Sequence, residues 1–234
     1  IPVLHEGRVM PLQRFATLEY ARLSGQKHVD KEAALAWLAA SIFNPGEAVF
    51  IPFITLNTDR ADILDHTPTS ISYMDALTLL TQRQDAMQEA IATPEDNRSV
   101  RQQNLLRFQA DMRFYGQMLR SLSLILPLNL RLEDNSDAIT YLDILSLPQD
   151  QQQNIQQKVI ALPQTGSEST VFRIIPPQWQ SAGDNWFSPW QIVLDGQGSP
   201  FSKEYLDSWK KLAQAYAHGD ADAWNIASQN AYAL

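Results

Sequence analysis

The chain has 234 residues, 44% of them hydrophobic and 19% charged, which is enough apolar material for a packed core and too much for a disordered segment. Eighteen Lys and Arg against 26 Asp and Glu leave a net charge of −8, which excludes the basic surface that nucleic-acid backbones require. There is no cysteine, hence no disulfide, thiolate nucleophile or zinc knuckle, and no apolar run approaches the roughly eighteen residues of a membrane span.

The predicted elements are mostly helical. Pro11 opens a segment that runs to Ser24, with Gly25 where a left-handed cap would end it. Asp30 caps a second helix over Lys31–Phe43, stopped by Asn44-Pro45-Gly46. Ala48–Leu56 is rich in Val, Ile and Phe but interrupted by Pro52, so it reads as a short edge strand. Ser72 and Asp75 form a capping-box start, and Tyr73, Leu77, Leu80, Met87 and Ile91 follow as one apolar stripe. Pro94 restarts a helix whose stripe, Leu105, Phe108, Met112, Tyr115, Leu119, Leu122 and Leu126, alternates by three and four. At about 1.5 Å per residue that second arm would reach roughly 50 Å, and the two arms together predict a long antiparallel helical hairpin.

Shorter elements are expected beyond Pro127. Ser136 caps a helix to about Ser146, and the Gln-rich stretch Gln149–Ile160 makes another. Thr170–Ile175 alternates like an edge strand before Pro176-Pro177, and is expected to pair with Ala48–Leu56 in the fold's small two-strand element. Ser188-Pro189 starts a short helix. Phe201, Tyr205, Trp209, Leu212 and Tyr216 line the next, which Gly219 ends, and Asp220 caps the last. The fold expectation is therefore a mostly α single domain, 1–234, trimmed from a longer chain.

No catalytic, cofactor or metal residue is nominated. The four histidines are dispersed without metal-ligand spacing; Asp59, Asp62, Asp65 and His66 are the best local cluster, and they read as a capped, solvated helix. Ser24–Lys27 and Ser208–Lys211 fit S-x-x-K without its companion motifs, and Gly196-x-Gly198 lacks the third glycine of a dinucleotide loop. The pair Glu133-Asp134 could do acid–base work in a cleft, which leaves a stand-alone periplasmic hydrolase as the alternative function. Trp179, Trp186, Phe187 and Trp190 gather four rings within twelve residues. Burial is the usual fate of indoles, and a partner-contact surface through Trp179, Trp186 and Trp190 is the functional reading.

The opening segment Ile1–Leu12, with Gly7-Arg8-Val9 and Pro11-Leu12, resembles a stretch of the fused cytochrome c synthetases of the CcsB–CcsA (system II) family. Ser24-Gly25, Asn44-Pro45, Ile51-Pro52, Phe172–Pro177 and Trp186-Phe-Ser-Pro189 resemble later elements of that family in the same order, while Met10 and Gln13-Arg14 depart from its Lys and Asp-Thr. The resemblance implies a non-catalytic periplasmic segment of a haem-export and ligation protein, with no haem of its own. Its implied partners are apocytochrome c and the membrane-embedded parts of the synthetase. The family's haem-handling histidines and tryptophan-rich loop have no counterpart in this chain.

Overall fold

Thirteen α-helices and two small antiparallel sheets build the described part of the chain, so the fold is mostly α. The computed structural model describes residues 1–65, 69–128, 138–177, 186–195 and 200–233. The chain divides into two compact units, one of Gln13–Gly116 and one of Ile1–Leu12 with Gln117–Leu234.

The first eleven residues, for which periodicity gives no expectation, form a β-hairpin of β1 (Pro2–His5) and β2 (Arg8–Pro11). Val3 pairs with Met10 and His5 with Arg8, leaving Glu6 and Gly7 as a two-residue turn. Both turn residues have positive φ, 47° and 73°, as a turn that follows the right-handed strand twist requires.

Helices α1 (Leu12–Ser24), α2 (Lys31–Phe43) and α3 (Pro45–Ala48) follow as the local signals dictate. Gly25 takes φ 74° just past α1, and the Asp30 carboxylate accepts the Ala33 N–H at 2.8 Å. Next come β3 (Ile54–Leu56), α4 (Thr58–Ile63) and β4 (Thr69–Ile71), with Ile54 opposite Ile71. The predicted strand within Ala48–Leu56 exists, but it pairs with β4 and not with Thr170–Ile175.

The first hairpin arm is two helices, α5 (Tyr73–Gln82) and α6 (Gln84–Ala92). The Ser72–Asp75 capping box is formed as expected. The break falls at Arg83, whose side chain reaches the Leu64 carbonyl at 3.1 Å and Asp65 at 2.7 Å. The second arm starts later than Pro94, after a 3₁₀ turn at Glu95–Asn97. Helix α7 (Val100–Arg120) begins where Ser99 and Gln102 exchange reciprocal side-chain-to-backbone bonds, a second capping box that periodicity alone overlooks. The two arms run antiparallel: the Tyr73 and Tyr115 rings are 5.2 Å apart at one end, and Arg98 Nε donates to the carbonyls of Ala90 and Thr93 at the other.

The core of the Gln13–Gly116 unit is aromatic. Trp37 stacks on Tyr115 at 5.7 Å and Phe53 meets Tyr115 edge-on at 5.1 Å. The Ser41 and Tyr115 hydroxyls lie 3.0 Å apart, and burial pushes the Tyr115 phenol up to about 12.

The second unit starts from the end of α7, which stops at Arg120 although its stripe continues to Leu126. Ser121 and Ser123 turn their hydroxyls onto the Gln117 and Arg120 carbonyls, and Ser121, Ser123 and Ile125 donate their N–H groups three residues back. The tightened turns still bury Leu122, Leu124 and Ile125. The expected Ser136 cap lies outside the described residues; α8 (Tyr141–Leu145) is capped instead by a Thr140–Asp143 box. Then follow α9 (Gln149–Gln156), α10 (Ala161–Ser167), α11 (Pro189–Leu194), α12 (Pro200–His218) and α13 (Ala221–Ala233). Thr170–Ile175 does not become a full strand. Leu4 donates its N–H to Arg173, and Ile175 and Phe187 exchange a backbone pair at 2.9 and 3.2 Å, so the run is sandwiched between β1 and the Trp186–Ser188 segment.

Candidate functional site

The aromatic cluster separates into residues with different surroundings. Ser188 and Gln191 form the capping box that starts α11, and Pro189 occupies its first turn. That start carries Trp190 into the core, where it is 0% exposed, 5.3 Å from the Tyr141 ring. Its indole N–H donates to the Arg120 carbonyl at 3.1 Å and lies 3.2 Å from Ser123 Oγ. A fully buried, hydrogen-bonded indole offers nothing to a partner, so Trp190 is corrected from contact residue to core residue. Trp186 and Phe187 are half-buried, and Trp179 lies outside the described residues.

A charged cluster in the Gln13–Gly116 unit escaped the sequence reading. Glu19 and Arg22 on α1 sit one turn apart, bonded at 2.5 and 2.8 Å, and Arg22 also donates to Asp111 on α7. Arg60 on α4 approaches Asp111 at 3.5 Å and donates to the carbonyls of Arg22 and Leu23, both at 2.9 Å. Those are orphan carbonyls at the end of α1, so one guanidinium closes a helix terminus and neutralises a buried acid. Glu19 and Asp111 are only 2% and 6% exposed. Desolvation pushes the Asp111 carboxyl up, against the pull of Arg22 and Arg60, and the same burial lowers the Arg60 guanidinium. The adjoining cavity, between Asn57, Asn104 and Arg107, measures about 170 Å³. Ligand pockets run to roughly 300–1,000 Å³. A carboxylate held by two guanidiniums beside so small a cavity ties α1, α4 and α7 together.

The remaining nominations resolve simply. Asp65 spends both oxygens on Arg83 and Arg101, each at 2.7 Å, while His66 lies outside the described residues. Among the described residues no three metal-ligating side chains converge. Glu133-Asp134 and Gly196-x-Gly198 also fall outside the described residues. In the S-x-x-K matches, the Ser24 hydroxyl accepts the Gln26 N–H at 3.2 Å and Ser208 donates to the Glu204 carbonyl at 3.1 Å. Both serines serve helix backbone.

One open apolar feature stands out on the helical hairpin. Leu77, Leu80, Met87 and Ile91 of α5 and α6, with Met112 of α7, line a groove of about 590 Å³. The stripe read as core is thus buried at Leu80 and Met112 but open toward its end, where Ile91 is 60% exposed. Periodicity identified these residues correctly; how far the second arm covers them is not a local property.

Among the described residues no helix is long and apolar enough to cross a membrane. No family model, curated protein or solved structure matches this chain.

Proposed function

We propose that this chain is a non-catalytic interaction module of a cytochrome c maturation protein of the CcsB–CcsA type. It works on the outer face of the membrane and positions an apocytochrome or the neighbouring membrane-embedded segments. The observation that supports this reading is the meeting of three segments that carry the resemblance and are distant in sequence. Ile1–Leu12 bonds to Phe172–Pro177 through Leu4 and Arg173, and Phe172–Pro177 bonds to Trp186–Pro189 through Ile175 and Phe187. Elements similar to one family thus coincide with one folded neighbourhood, as expected of a shared module and not of scattered coincidences.

Within that neighbourhood Arg8 and Val9 at the hairpin end are exposed and Trp186 is half-buried. With Glu6, Arg173 and Phe187, they are side chains there with surface left for a partner. The acidic net charge favours encounter with a basic, unfolded polypeptide without demanding tight binding.

The test is holocytochrome yield in cells carrying the full-length protein, with Arg8→Glu and Trp186→Ala, set beside the melting temperature of the 234-residue chain. Reduced yield with an unchanged melt is the expected result. Full yield from both variants would remove the surface from the pathway, and a loss of yield that tracks a lowered melt would reduce these residues to structural ones.

A further inference from the structure

We propose that the groove between the two hairpin arms is a docking site for an amphipathic α-helix of a partner protein, with a basic flank toward α6 and an acidic flank toward α7. This deepens the interaction-module reading, and it does not depend on which pathway the partner belongs to.

The groove selects a helix on three grounds. Its floor residues recur at helical spacing within each helix, Leu77 and Leu80 on α5 and Met87 and Ile91 on α6, the ridge pattern into which another helix packs. Its walls carry the amides of Gln84 and Gln88 on one side and of Gln109 on the other, Arg113 is the one charged lining residue, and none of the lining residues lies in a strand. An extended peptide laid over this floor would leave its backbone N–H and C=O groups without a ladder, whereas a helix brings its own bonds.

Charge sets the orientation. Arg113 at the α7 lip is exposed and makes no ion pair among the described residues. On α6, Asp85 stands one turn from Gln88, which lines the groove, and Glu89 follows it by four; both acids are exposed beside the groove. Flanks of opposite sign, Arg113 at the α7 lip and the acids beside the groove on α6, favour a helix that carries both signs and disfavour the reversed helix. A second copy of this chain would bring its own net charge of −8, and two like-charged chains repel.

The experiment places a photo-crosslinking residue at Ile91, and separately at Met87, in the full-length protein in cells, and maps the crosslinked positions by mass spectrometry. Ile91 is largely exposed, so the replacement leaves the core intact, and the melt of the 234-residue chain checks this. Crosslinks on one partner segment that recur every three or four residues, and whose yield falls about tenfold with Arg113→Glu, support the proposal. Recurrence every two residues, crosslinks to a second copy, scattered crosslinks, no crosslink, or indifference to Arg113→Glu each overturn it. Helical spacing on a partner outside cytochrome maturation would support the docking mode and sink the pathway.

Discussion

Trp190 lies so close to Gly166 that a Cβ on the glycine would stand 2.3 Å from the indole Cε2. Gly166 is buried in α10 and Trp190 in α11, so the missing side chain of one residue makes room for the largest side chain of the other. Gly166→Ala should therefore destabilise the chain by about 1–3 kcal/mol in a urea melt, although alanine is the better helix former. In a Trp190→Phe background the same change should cost clearly less, because the pair is coupled. Equal costs in both backgrounds would show that the ring does not set the tolerance at 166.

Arg60 does what lysine cannot. Its guanidinium spans the Arg22 and Leu23 carbonyls and Asp111 at once. Arg60→Ala should cost about 3 kcal/mol by stranding these groups, and Arg60→Lys should recover only part of it, since an ammonium is a point donor. Full rescue by lysine in equilibrium unfolding would mean that charge alone matters there.

Two carboxyls give stability opposite dependences on pH. Partial burial raises Asp143, but hydrogen bonds from Lys210 Nζ and from the Thr140 N–H and hydroxyl outweigh it and hold the group below its ordinary value. Its folded pKa lies under the unfolded value of about 4, so its contribution is present above that pH and is lost as pH falls through the folded pKa. The melting-temperature deficit of Asp143→Asn should be largest at neutral pH and shrink in acid. Asp111 is shifted upward by desolvation, so folding favours its protonated form and its contribution declines as pH rises above about 4. The deficit of Asp111→Asn should narrow with rising pH, and a parallel trend for both variants would contradict the assignment.

At the tip of the N-terminal hairpin, Glu6 holds φ at 47° without the side chain that usually tolerates it. Glu6→Asn keeps the turn and relieves the residue, and should stabilise the chain by about 0.5–1 kcal/mol. Gly7→Val, at φ 73°, should destabilise it by more than that. A thermal melt of each variant decides, and the opposite order would mean that the turn is not the left-handed type.

The helix limits that were legible beforehand rest on bonds closed within three or four residues. Asp30 with Ala33, Ser72 with Asp75, Ser188 with Gln191, Asp220 with Ala223 and the positive-φ glycines 25 and 219 all act locally, so their residue types announce them. What sequence by itself determined is the mostly α class, these boundaries and the apolar face of the hairpin. Tertiary structure alone decided which segments Thr170–Ile175 meets, because Leu4 and Phe187 compete with every other open backbone edge. It also decided that Trp190 is buried while Trp186 keeps part of its surface, and that the stripe is left open at Ile91. The cluster of Glu19, Arg22, Arg60 and Asp111 joins three helices across ninety-odd residues, and no spacing rule reaches that far. Burial and long-range pairing depend on where other elements come to rest, and that placement is a property of the packed chain, not of any window along it.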